Sequence, residues 1–115
     1  MENKNLKIRM KIWIEAETGE TLFGEGQILI LEVIEKEGSI NAAAKSLGMG
    51  YRSMWGRLKK IEQRIGIPLL VRRKGGASGG ESVLTPEAKI MIEKFRQLQQ
   101  QINDAAKAIH TCIYS

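Results

Sequence analysis

The chain has one cysteine, Cys112, so it can form no internal disulfide, which fits a reducing cytosol. It has one histidine, His110, two residues from that cysteine. Residues two apart on a helix do not face one another, so the pair is not expected to bind a metal. One histidine also leaves little material for a Ser-His-Asp set, and no paired carboxylates lie within an apolar pattern. No apolar run approaches the roughly 20 residues that span a bilayer. The N-terminus, MENKNLKIRMKIWIEA, alternates too strictly and carries too much charge to be a signal peptide. The glycine-rich stretch KGGASGGE, residues 74–81, is not followed by Gly-Lys-Ser/Thr and opens no helix, which argues against a nucleotide phosphate loop. The expectation is a cytoplasmic protein, not an enzyme, with no metal or cofactor and no membrane association.

What remains is a chain of 115 residues, the size of one domain. With 43% hydrophobic and 27% charged residues it reads as globular and soluble. The net charge of +5 is unevenly spread. Between residues 50 and 75 stand Arg52, Arg57, Lys59, Lys60, Arg64, Arg72, Arg73 and Lys74 against one acid, Glu62. The rest of the chain is slightly acidic. A basic region this localised suits a polyanion partner better than a solvated face, which usually mixes both signs.

The spacing of apolar residues predicts the elements. Leu6–Ala16 alternates, with Leu6, Ile8, Met10, Ile12 and Ile14 on one side, so a half-buried strand is expected, returning through Thr21–Phe23 as a hairpin over 6–23. A helix over 26–37 carries apolar residues around most of its circumference, which predicts burial on more than one side, the second side covered by a partner subunit. Gly38 suits the left-handed position after that helix, and Ser39 suits the cap of the next. Residues 39–65 read as a helix-turn-helix. Ala42, Ala43 and Ala44 allow close packing, Gly48 sits in the corner, and Met54 anchors the second helix. On that second helix, Tyr51–Ile65, the residues Met54, Leu58, Ile61 and Ile65 form the core stripe. Arg52, Ser53, Gly56, Lys59, Lys60 and Gln63 lie outward, with Tyr51, Trp55 and Arg57 on the flanks. Arg52 suits guanine edges, and Lys59 and Lys60 suit phosphates. Trp55 is expected to pack on the flank more than to touch nucleic acid. A strand, a flexible loop and a strand over 69–84 make a wing based on Arg72, Arg73 and Lys74.

Thr85-Pro86-Glu87 starts a final helix over 86–113. Met91, Phe95, Leu98, Ile102, Ala105, Ile109 and Cys112 recur at spacings of four and three, a heptad seam suited to joining two copies. The fold expected is mainly α with a small β component: a winged helix-turn-helix with an N-terminal β-hairpin and a long C-terminal dimerisation helix.

The stretch EGSINAAAKSLGMGYRSMWGRLKKIEQRIGIPLLVRR resembles the winged helix-turn-helix of LysR-type bacterial regulators. It is most similar to the N-terminal domain of molybdate-responsive, ModE-type regulators. The likeness rests on Gly38-Ser39-Ile40, Ala43-Ala44, Leu47-Gly48-Met49, Tyr51-Arg52-Ser53 with Trp55, the glycine wing and Leu84-Thr85. It covers nearly the whole chain, including the Trp13 region and the LFGEG entry to the first helix. It implies a homodimer joined by the first and last helices, with two recognition helices in successive major grooves of a palindromic double-stranded DNA operator. The DNA-contacting set expected is Ser39, Asn41, Tyr51, Arg52, Ser53, Trp55, Gly56, Lys59, Lys60, Arg73, Lys74, Gly75 and Gly76. The dimer set expected is Ile30, Met91, Phe95, Leu98, Ile102, Ala105 and Ile109. The chain departs from the family at Ala77-Ser78 and Glu81 in the wing, and at Ala88, where the family usually has glycine. With the sequence ending at Ser115, an oxyanion-binding region is not expected in it. A stand-alone regulator or a truncated chain is therefore expected, with molybdate sensing not carried over and any effector unknown. The alternatives are a winged-helix module for protein–protein assembly or for RNA.

Overall fold

The computed structural model describes residues 6–73 and 80–115. A first strand, β1 (Trp13–Glu15), pairs antiparallel with β2 (Thr21–Gly24), placing Trp13 opposite Gly24 and Ile14 opposite Phe23. The turn between them is closed where the Ala16 N–H donates to the Glu20 carbonyl at 2.8 Å. The long strand expected from the alternation over 6–16 is thus cut to three paired residues. Leu6, Ile8 and Met10 are 42%, 39% and 46% exposed. The reason is local. β2 ends at Gly24 and the chain turns at once into a helix at Glu25, so the ladder stops at the Trp13–Gly24 pair.

That helix, α1 (Glu25–Glu37), starts with the Gly24 N–H held by the Gln27 side-chain carbonyl at 2.9 Å. It buries Ile28, Ile30, Leu31 and Ile34 against β2, the next helix and the second wing strand. The expectation that a partner covers its second side is corrected at Ile30, which is only 4% exposed within its own chain. α1 packs against β2, α2 and β4 of the same chain. Leu29, at 42%, is the apolar residue of α1 left outside.

In α2 (Ile40–Leu47) the Ser39 hydroxyl accepts from the Ala42 N–H at 3.0 Å, and Ala43 and Ala44 are buried at the crossing. Gly48 closes the helix at φ +66°, a left-handed conformation that side chains with a β-carbon resist. α3 (Tyr51–Ile65) then buries Met54, Leu58 and Ile61, while Ile65 is half-buried. Its far end is fixed twice. The Arg64 guanidinium donates to the Thr21 carbonyl at 2.8 Å, and the Glu62 carboxylate accepts from the Leu69 N–H at 2.8 Å.

The wing strands β3 (Leu70–Arg73) and β4 (Glu81–Leu84) pair antiparallel, Leu70 opposite Leu84 and Arg73 opposite Glu81. Ser82 and Leu84 face inward, and the Ser82 N–H donates to the Gly38 carbonyl at 2.9 Å, fastening the wing to the α1–α2 junction. Thr85 caps α4 (Pro86–Tyr114): its hydroxyl accepts from the Ala88 N–H at 3.1 Å and donates to the Pro68 carbonyl at 2.8 Å.

α4 has 29 residues, about 43 Å at 1.5 Å per residue. Its first turns bury Ala88, Ile92 and Phe95. Phe95 meets Phe23 edge-to-face at 5.6 Å. The seam expected from heptad spacing therefore divides. Phe95 belongs to the protomer's own core, a correction to its expected place between copies, and Met91 is half-buried beside it. Beyond them Leu98 is 40% exposed, Ile102 half-buried, Ala105 exposed and Ile109 59% exposed. Core packing and a dimer seam use the same spacing on one helix, so period alone does not separate them.

Arg96 ties α4 to α1. Its guanidinium pairs with Glu25 at 2.5 Å and with Glu32, and Gln99 joins the cluster. The Arg96 hydrogen bond holds the Glu25 carboxyl below its ordinary value of 4.5, against an opposing push from partial burial. A carboxylate whose folded pKa is depressed contributes stability above its unfolded pKa and loses it as pH falls through the folded value. The melting temperature should therefore drop as pH is lowered below about 4.5, and less steeply in Glu25→Gln. Superimposable acid limbs for the two proteins would show that this contact does not matter to stability.

Candidate nucleic-acid interface

The outer face of α3 is built by one simple fact. Met54, Leu58 and Ile61 are turned into the core, and a period of 3.6 then forces the intervening residues out. Tyr51, Arg52, Ser53, Gly56, Arg57, Lys59 and Lys60 are all exposed. No acid interrupts this surface from Tyr51 to Ile61. Gly56 stands in its middle, and a β-carbon there would meet nothing within 4 Å. The vacant position permits a close approach to the helix. Gly56→Ala should raise helix stability by up to about 1 kcal/mol. If a duplex lies on this face, it should at the same time weaken duplex binding. Parallel thermal melts and binding titrations check this, and an alanine variant that binds as tightly as the parent would show that nothing packs closely there.

One corner of the face is already organised. The Arg72 guanidinium donates to the Tyr51 hydroxyl at 2.8 Å and lies 4.4 Å from the Trp55 ring centroid. Lys59 Nζ lies 4.5 Å from the same ring. Two cations, one from α3 and one from β3, are thus gathered on one half-buried indole, where the ring quadrupole attracts them. Beside them a cleft of about 570 Å³ opens between α3 and β3, lined by Trp55, Leu58, Lys59, Glu62, Leu70 and Arg72 among others.

Each expected residue has a definite place. Tyr51, Arg52, Ser53, Gly56, Lys59 and Lys60 share the exposed face, and Trp55 lies half-buried at its edge. Asn41 is exposed on the first turn of α2, whereas the Ser39 hydroxyl is committed to capping that helix. Arg73 is placed by its backbone pairing with Glu81. Lys74, Gly75 and Gly76 lie outside the described residues. Sequence places Arg72 only at the wing base, and the structure brings it into the group. Its partner Tyr51 is 21 residues away, so no local spacing announces the contact. The Trp55–Lys59 pair, four apart on a helix, was within reach of periodicity.

Comparison with known proteins places the fold in a known family. The family described as bacterial regulatory helix-turn-helix protein, lysR family, matches residues 26–89. The chain is 34% identical over 85 residues to the molybdenum transport protein ModE of Azotobacter vinelandii, covering 74% of this chain and 32% of that protein. It is 30% identical over 101 residues to the DNA-binding transcriptional dual regulator ModE of Escherichia coli K12, covering 84% and 38%. The chain therefore spans about a third of the length of these relatives. Among solved structures, ArgP from Mycobacterium tuberculosis superposes with a TM-score of 0.55 at 24% identity, over 77% of this chain and 31% of that one. Full-length LysG from Corynebacterium glutamicum with bound Arg gives 0.53 at 16% identity, over 79% and 29%. At those identities the likeness concerns the fold alone. With the family match spanning more than half of its length, this chain belongs to the lysR family of bacterial regulatory helix-turn-helix proteins.

Proposed function

We propose that this chain is a sequence-specific, double-stranded DNA-binding module of a transcriptional regulator. α3 enters a major groove and the wing follows the flanking backbone. The observation that carries the proposal is the uninterrupted exposed face of α3, with Arg52, Ser53, Lys59 and Lys60 set around a glycine whose outer side is open. A recognition helix reads base edges through its N-terminal residues and needs phosphate contacts to hold its register, and this face offers both.

The module acts as a homodimer on a palindromic operator. Support comes from the C-terminal part of α4, where Leu98, Ile109 and Ile113 are 40%, 59% and 70% exposed. The similarity to a relative named as a DNA-binding transcriptional dual regulator supports DNA-binding regulation. No described helix is long and apolar enough to cross a membrane.

One experiment tests both parts. Duplexes selected by the protein from random DNA are titrated at several salt concentrations, with the number of chains per duplex measured in the same samples. The expected result is a two-fold repeat in the selected sequences, two chains per duplex, and a log–log salt slope near −0.9 for each phosphate neutralised. A shallow slope would count against DNA and favour protein–protein assembly. One chain per duplex would remove the dimer.

A further inference from the structure

We infer that Trp55 is a positioning residue that holds Lys59 and Arg72 together as one phosphate clamp joining α3 to the wing, an inference that rests on the DNA-binding reading above. Lys59 Nζ and Arg72 Cζ lie 4.5 Å and 4.4 Å from the same indole centroid, though they come from different elements. Two like charges held on one ring raise the positive potential around it, and an anion that contacts either cation relieves it. Both side chains are exposed, so a duplex backbone can reach them. Glu62 lines the same cleft, but its carboxylate is engaged by the Leu69 N–H at 2.8 Å.

The clamp has a latch. Tyr51 accepts one hydrogen bond from Arg72 at 2.8 Å, which fixes the rotation of the guanidinium. A guanidinium carries five N–H donors in a planar fork, so the others remain for phosphate oxygens. Left alone, a long cationic side chain samples many rotamers and must order itself on binding. Held on the ring and latched by Tyr51, Arg72 has less to lose. Trp55 thereby sets β3, the base of the wing, in a fixed relation to the face of α3. Phosphate contacts position a protein on a duplex without reading its sequence. The clamp should therefore raise affinity for every duplex alike and leave base preference to Arg52 and its neighbours.

The test uses the full chain with one selected and one random duplex, and the variants Trp55→Leu, Trp55→Phe, Tyr51→Phe, Arg72→Ala and the double variant Trp55→Leu/Arg72→Ala. Ordering a freed cationic side chain on binding costs a factor of about 2–12, and Trp55→Leu frees two, so it should weaken both duplexes by roughly fivefold or more. Its salt slope should stay close to that of the parent, because both charges remain, whereas Arg72→Ala should lower the slope by about 1. Trp55→Phe keeps an aromatic face and should recover most of the loss. The double variant should be weaker than Arg72→Ala by much less than the factor Trp55→Leu shows alone. Multiplying losses, or unchanged affinity in the Trp55→Leu protein, would overturn the clamp. If Trp55→Leu melts well below the parent, Tyr51→Phe and Trp55→Phe decide: a Tyr51→Phe protein that binds both duplexes like the parent, with no rescue by phenylalanine at 55, would also overturn it. A parent chain that binds neither duplex would instead sink the DNA-binding reading itself.

Discussion

Phe95→Ala should destabilise the fold by about 3–5 kcal/mol, the range for removing a buried phenylalanine side chain and leaving a cavity. Phe95 is 1% exposed and sits where α4 leaves the body of the domain. On one side it meets the Phe23 ring edge-to-face at 5.6 Å, which joins the hairpin to α4. It also shares the core with Ile28, Leu31 and Ile34 of α1. No small rearrangement fills that space, since three elements converge on it. The loss approaches the whole stability of a small domain. Urea unfolding of parent and variant at one fixed protomer concentration checks it, because any dimer would make the midpoint concentration-dependent. A change under about 1 kcal/mol would mean that Phe95 is not at the centre of this core.

Arg52→Ala should cost about 1–3 kcal/mol on the selected duplex, five- to 150-fold in affinity, and far less on random DNA. Arg52 is the second residue of α3 and is exposed. Residues there lead into the groove when a helix-turn-helix docks, while those nearer the C-terminus lie over the backbone. An arginine can donate two parallel hydrogen bonds to the acceptor pair of guanine, a geometry that lysine does not copy. The measurement that matters is the ratio between selected and random duplexes. If Arg52→Ala lowers both affinities by the same factor, Arg52 holds phosphate and base reading lies elsewhere, with Ser53 the next candidate on the same turn.

The helix-turn-helix was legible from sequence because its determinants are local. A capping serine at Ser39, two buried alanines, a left-handed glycine at Gly48 and the Met54–Leu58–Ile61 stripe each act within a few residues. What was not legible depended on residues far apart. The alternation over 6–16 specified an extended strand but not its partner, whose length is set by where α1 begins. Ile30 and Phe95 carried the right hydrophobicity, yet nothing near them told whether the cover came from the chain's own elements or from another copy. On the functional face, helical period placed Arg52, Gly56 and Lys59 outward. It did not place Arg72, which reaches Tyr51 and Trp55 only after the wing folds back along α3.

The two indoles of this chain stand in unlike surroundings, and that makes the protein its own optical probe. Trp13 is 51% exposed on the hairpin, its N–H donating to Glu15 at 2.7 Å. Trp55 lies half-buried beneath two cations. Replacing Trp13 with phenylalanine leaves one indole, seated where α3 meets the wing, which can be excited selectively at wavelengths where tyrosine does not absorb. Its fluorescence then registers an anion that settles on Lys59 or Arg72 beside the ring, with no dye attached and no label to disturb the surface being measured.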